Sequence, residues 1–152
     1  MVAHVDRWFS GARIPTDRGV LLVLDVDLDD ALPADDDDAR RMLLLDVVAL
    51  AVDGHARPGD ALARIDAGRF GVLRHVDGAT ASWAAAHELG RAIEDALTDL
   101  PEGFGARITV GAARLAPAAV RPGRDLLAAV TTTMLEGKLL TDDRLVVVVA
   151  RD

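Results

Sequence analysis

Residues Arg57 to Phe70 read Arg-Pro-Gly-Asp-Ala-Leu-Ala-Arg-Ile-Asp-Ala-Gly-Arg-Phe. Pro-Gly is a turn signal in its own right, so the stretch opens with a tight loop carrying Arg57 and Asp60 three residues apart. A short apolar run follows, then Asp66-Ala67-Gly68-Arg69, then a second apolar run from Phe70. This is the pattern of a β-hairpin, with strands near Ala61 to Ile65 and Phe70 to Arg74. Gly68 is expected to supply the positive φ of its turn.

Upstream, Val20 to Val26 (Val-Leu-Leu-Val-Leu-Asp-Val) is apolar and β-rich, as a strand buried on both faces is, and Asp25 and Asp27 lie at its end. A loop with Asp29, Asp30, Pro33 and the run Asp35 to Asp38 leads into a helix over Arg40 to Asp53. Carboxylates just ahead of a helix cap it and meet its positive end. The helix is apolar nearly all round, which predicts a sandwiched position or a subunit contact, with Gly54 as its C-terminal cap.

Downstream, Trp83, Ala86, Leu89, Ile93 and Leu97 recur at helical spacing over Ala81 to Leu100, stopped by Pro101, which places Trp83 in the core. Ala106 to Leu115 reads as a strand, Pro117 and Pro122 as a loop, Asp125 to Leu139 as a helix and Arg144 to Ala150 as a closing strand. Residues 1–18 hold a short amphipathic turn (Val5, Trp8, Phe9) ending at Pro15, and read as an extension to one domain over 19–152. The order strand, helix, hairpin, helix, strand, helix, strand implies an α+β fold. It is a mixed sheet of about five strands with helices on both faces, close to the ferredoxin-like core.

Composition narrows the function. The formal charge of −8 excludes sequence-independent binding to nucleic acid, which requires a basic surface. Arg57 to Arg74 nevertheless holds four Arg (57, 64, 69, 74) against two Asp (60, 66), a local +2 that suits a small anionic ligand. With no cysteine there is no disulfide framework, and a reducing compartment fits. The N-terminal Met-Val-Ala-His-Val-Asp-Arg lacks the marks of a signal peptide. The most apolar run, Met42 to Val52, is far short of the ~20 residues of a membrane helix. The expected location is cytoplasmic, with no membrane partner. His4, His55, His75 and His87 have no metal-ligand spacing and read as surface residues.

The same residues resemble the GGDEF family, the diguanylate cyclases of bacterial signalling that join two GTP into cyclic di-GMP. Val20 to Asp27 looks like that family's first strand, which ends in Asp-x-Asp, and Arg57-Pro-Gly-Asp60 looks like its Arg-x-x-Asp inhibitory site. Asp66-Ala67-Gly68-Arg69-Phe70 stands where the family has Gly-Gly-Asp/Glu-Glu-Phe. Arg107-Ile-Thr-Val-Gly is similar to the fourth strand, and Leu126 to Lys138 to the helix whose Lys contacts phosphate.

The resemblance implies a degenerate domain. Asp66 and Ala67 replace the glycine pair, so a carboxylate stands where triphosphate approaches. Gly68 and Arg69 replace the acidic pair, so a cation stands where the family binds metal. Asp30, Pro33 and Met42 replace residues that contact guanine and phosphate. No catalytic residue, no metal and no cofactor are therefore expected, and Mg²⁺ is not. Asp25 is left as a vestigial ligand, or, read without the resemblance, as a strand-end carboxylate facing solvent.

Arg57 and Asp60 are intact. An Arg can fork onto phosphate or onto guanine O6 and N7, and a carboxylate accepts from N1 and N2. The plain alternative is an ordinary β-turn with a surface ion pair. The family completes this site with another Arg, whose place here falls near Glu88, with Arg91 the nearest arginine; Arg64 is a further candidate. The resulting expectation is an inactive receptor for cyclic di-GMP through Arg57, Asp60, Arg64 and Arg91, acting on a protein partner. A ligand-independent interaction or dimerisation module, including a homodimer, is the alternative.

Overall fold

The computed structural model describes residues 7–9, 11, 18–28, 37–77, 81–100, 105–115 and 123–151. Asp29, Asp30, Pro33, Asp35, Asp36, His4, Val5 and the prolines at 15, 101, 117 and 122 lie outside them.

The chain runs β1 (Gly19–Leu28), α1 (Asp37–His55), β2 (Ala61–Arg64), β3 (Arg69–His75), α2 (Ala81–Leu97), β4 (Ala106–Arg114), α3 (Gly123–Leu140) and β5 (Leu145–Val149). The five strands form one mixed sheet in the order β2-β3-β1-β4-β5. β1 is antiparallel to both neighbours, and β4 pairs parallel with the edge strand β5, α3 forming the connection. The expected order and α+β architecture are those observed.

β1 is central because nothing in its middle wants water. Val20, Leu21, Leu22, Val23 and Leu24 are fully buried, each side chain stabilising the fold by roughly 1.5–3 kcal/mol before entropy. Successive residues point to opposite faces. Val20, Leu22, Leu24 and Val26 meet Leu44, Val48 and Val52 of α1 and Ala86, Leu89 and Ile93 of α2. Leu21 and Val23 meet Leu126, Val130 and Met134 of α3, with Trp8 and Phe9 packed at the margin. The same alternation turns Asp25 and Asp27 toward α3. Gly111 lets α3 lie close on β4, since a Cβ there would come within 2.6 Å of Met134 Cγ and Val130 Cγ1.

Four expectations are corrected. α1 is not sandwiched among the described residues: Leu44, Val48 and Val52 are buried, while Met42 and Leu50 on the other side are mostly exposed. Gly54 lies inside the helix, which continues to His55, and does not cap it. Gly68 does not carry a positive φ; among the described residues only Gly59 does, at 92°. Trp83 is half exposed and stacks on His87, because the buried face of α2 is Ser82, Ala85, Ala86, Leu89, Gly90 and Ile93. No helix of the described residues is long and apolar enough to cross a membrane.

Candidate functional site

The end of β1 and the β2–β3 hairpin form one candidate region. Asp25 pairs across the sheet with Arg69 on one side and Thr109 on the other. Lys138, in the last turn of α3, donates to Asp25 Oδ2 at 2.7 Å and to Asp27 Oδ2 at 2.5 Å. Arg69 Nε adds a second cation, 3.9 Å from Asp25 and 3.4 Å from Asp66. Burial opposes the charge on Lys138, but its hydrogen bonds to the two carboxylates and their charge outweigh that, and its pKa is raised. The ammonium therefore stays charged at neutral pH. Arg107 fixes its position: it lies opposite Asp27 on β4 and donates to the Lys138 and Thr141 carbonyls at the end of α3.

The hairpin turn is closed on itself. The Asp66 carboxylate accepts from the Gly68 N–H at 3.1 Å, an Asx-turn that needs no left-handed residue. Arg64 donates to the Ala67 carbonyl at 3.1 Å and lies over the Phe70 ring, and the Gly68 carbonyl accepts from Val26 N–H. The cleft beside the turn, about 200 Å³, is lined by Asp25, Asp27, Arg41, Leu44 and the turn residues. These residues do not fit a Mg²⁺ ion. That ion takes oxygen ligands and repels cations, whereas the Asp25 carboxylate is already held by Lys138 with Arg69 beside it.

The Arg57 loop is a second region on another side of the hairpin. Arg57-Pro58-Gly59-Asp60 closes by an Asp60 N–H to Arg57 carbonyl bond of 3.0 Å, and Gly59 at φ 92° takes the position that a type II turn reserves for glycine. Asp60 turns inward. Its oxygens accept from Arg74 Nε and Nη2 at 2.7 to 3.2 Å and from the Arg57 N–H at 2.9 Å, and the Arg74 and Asp60 side chains are 1% and 3% exposed. Arg74 also donates to the His55 carbonyl and touches the His55 ring. Burial first, then the positive charges of Arg74 and Arg57, lower the pKa of His55.

Arg57 faces outward instead, its Nη2 2.5 Å from Glu88 Oε2 of α2, with both side chains 51% exposed. The two stand at a cleft of about 350 Å³ whose lining includes His75, Val76, Asp77, Ala81, Ala84 and Ala85. The other expected members are elsewhere: Arg91 pairs with Glu94 at 2.7 Å, and Arg64 braces the hairpin. Neither is among the residues lining this cleft, and the Asp60 carboxylate, held by Arg74, is withdrawn from an open ligand edge.

Sequence reasoning named Arg74, His55 and Glu88 without the contacts that join Arg74 to Asp60 and His55, and Glu88 to Arg57. Arg74 had a signal, since a charge inside Phe-Gly-Val-Leu-Arg on a buried strand needs a partner. His55 is partly buried in this network rather than a plain surface histidine.

No family model matches this sequence, and no curated protein matches it. Solved structures do. The GGDEF domain of DgcB from Caulobacter crescentus, in complex with c-di-GMP, superposes with a TM-score of 0.65 at 16% identity, over 95% of this chain and 86% of that one. The active GGEEF domain of a diguanylate cyclase from Vibrio cholerae gives 0.65 at 13% identity, over 99% and 94%. A TM-score of 0.64 at 18% identity, over 95% and 85%, relates it to a microbial GGDEF domain described in a novel interaction mode with cyclic di-GMP. The chain has the GGDEF-domain fold. Within that fold, Asp66-Ala67-Gly68 occupies the β2–β3 turn, Arg69 and Phe70 open β3, and Lys138 reaches the end of β1 from α3.

Proposed function

We propose that this chain is a catalytically silent GGDEF-fold domain that regulates by binding rather than by turnover. The observation that carries this reading is Lys138 on Asp25 and Asp27. An internal ammonium satisfies the carboxylates that metal-dependent phosphoryl transfer would need free, and Arg69 adds charge of the same sign. The test is incubation with GTP and either Mg²⁺ or Mn²⁺, with product resolved by chromatography. No cyclic di-GMP is expected, and its formation would overturn the assignment.

The proposed ligand is cyclic di-GMP, at the Arg57 cleft. Arg57 is exposed, its backbone is held by the Gly59 turn and the Asp60–Arg74 pair, and the cleft beside it has an apolar wall. Asp60 serves here as the anchor of the loop. Occupancy of the cleft would be passed to a protein partner. Calorimetric titration of wild type and Arg57→Ala with cyclic di-GMP is expected to show binding only to the wild type; no heat at tens of micromolar with folded protein would remove the ligand.

A ligand-independent interaction module is the second reading. Two observations favour it: Glu88 already neutralises Arg57, and Leu139 and Leu140 at the end of α3 are largely exposed. It predicts self-association or partner capture unaffected by Arg57→Ala, whereas a strict monomer in light scattering, with its only partner lost in that variant, would count against it.

A further inference from the structure

We infer that Glu88 and Arg57 together read the guanine base, Glu88 taking the acceptor role that burial denies to Asp60. This deepens the cyclic di-GMP reading and rests on it. The Asp60 side chain is 3% exposed and its oxygens are held by Arg74. No ligand edge can reach it without breaking a buried ion pair. Two carboxylates, Asp77 and Glu88, line the same cleft, and of these Glu88, half exposed, is the one in contact with Arg57.

Guanine presents two edges of opposite hydrogen-bonding character: O6 and N7 accept, and N1–H and N2–H donate. An Arg fork matches the first and a carboxylate matches the second. Arg57 and Glu88 supply one of each from different elements, Arg57 from the loop after α1 and Glu88 from α2. Their direct contact of 2.5 Å is an exposed ion pair, which contributes little and opens readily. A base entering between them keeps both groups satisfied, with Arg57 on O6 and N7 and Glu88 on N1–H and N2–H. Val76, Ala81, Ala84 and Ala85 offer small apolar groups along the cleft, suited to the face of a flat ring.

Adenine fails both tests. It has no O6 for Arg57, and its unprotonated N1 would face the Glu88 carboxylate with a lone pair. The charges of Arg57 and Glu88 cancel, so the pair draws its ligand through base edges rather than through phosphate charge. Affinity should accordingly change little with salt.

The experiment titrates the full chain with cyclic di-GMP and, separately, cyclic di-AMP, for wild type and Glu88→Gln, with circular dichroism confirming that both are folded. The wild type is expected to favour cyclic di-GMP by about tenfold or more. Glu88→Gln should weaken cyclic di-GMP by a similar factor and bring the two nucleotides level. Unchanged or tighter cyclic di-GMP binding by Glu88→Gln would overturn the inference, making Glu88 only a competitor for Arg57, while the ligand reading stands. Binding of neither nucleotide to either protein would remove the ligand reading and this inference with it.

Discussion

Lys138 Nζ lies 2.7 Å from Asp25 Oδ2, joining residues 113 positions apart in sequence. The contact places a protein cation between carboxylates at the end of the central strand, beside a turn whose Arg69 is also cationic. Lys138 is held there by the Arg107 bonds to the carbonyls that end α3. Region and charge are thus set by three different elements.

Removing both cations should uncover a cation site. In Lys138→Met with Arg69→Gln, the Asp25, Asp27 and Asp66 carboxylates would be left without these partners. Hard divalent ions take such oxygens, and the Asp25–Asp27 pair, with no third acidic ligand grouped on it among the described residues, should bind only weakly, on the order of 10⁻³ M. Water relaxation during Mn²⁺ titration would show it. Wild type is expected to show no such binding, and equal binding by both proteins would mean that Lys138 and Arg69 do not block the carboxylates.

Asp60→Asn should destabilise the fold whether or not a ligand exists. The substitution strips the charge that compensates Arg74, whose side chain is 1% exposed. Breaking a buried pair from one side costs about 3–5 kcal/mol. Arg74→Met together with Asp60→Asn should recover most of that loss, since no buried charge is then left unpaired. Urea denaturation of wild type, Asp60→Asn, Arg74→Met and the double variant measures the coupling. A binding defect in an Asp60 variant would consequently report loop collapse, so Arg57 and Glu88 are the positions that test ligand contact.

Gly111→Ala probes how closely α3 sits on the sheet. Its new methyl would fall within 2.6 Å of both Val130 Cγ1 and Met134 Cγ, with Met134 Sδ at 2.8 Å. Overpacking of this kind costs roughly 1–3 kcal/mol. Because α3 carries Lys138, the shift should also loosen the bonds to Asp25 and Asp27. Met134→Ala in the same chain should relieve part of the thermal destabilisation, and an unchanged melting temperature in Gly111→Ala would show that α3 rides up without cost.

The fold was legible because its signals are local. Val20 to Leu24, five successive apolar residues rich in β-formers, read as a strand covered on both sides, and Pro58-Gly59 ahead of two apolar runs marks the hairpin. Its site was legible only in part, because the decisive contacts depend on register. Arg74 meets Asp60 across 14 residues of sequence through the β2–β3 pairing, and Arg57 meets Glu88 across 31 through the packing of α2. Trp83 misled for a packing reason: Gly90, where a Cβ would come within 2.6 Å of Leu145, turns a face of small residues inward and leaves the tryptophan at the rim. Asp66 misled at the turn, where its own carboxylate does the work expected of a left-handed Gly68.

Acid should weaken the Arg57 loop before it weakens the rest of the fold. The pKa of His55 is lowered, first by burial and then by Arg74 and Arg57. The unfolded chain, with an ordinary histidine near 6.5, therefore binds a proton at a pH where the native ring does not. Stability from the neutral ring is complete above that unfolded value and is lost as pH falls through the lower native one. A proton on His55 would stand beside Arg74 and against the guanidinium that anchors Asp60. Histidine Cε1–H shifts followed by NMR should place His55 below the ordinary range. His55→Gln should flatten the decline in urea stability between neutral pH and pH ~5, and an undiminished slope in that variant would assign the acid sensitivity to other groups.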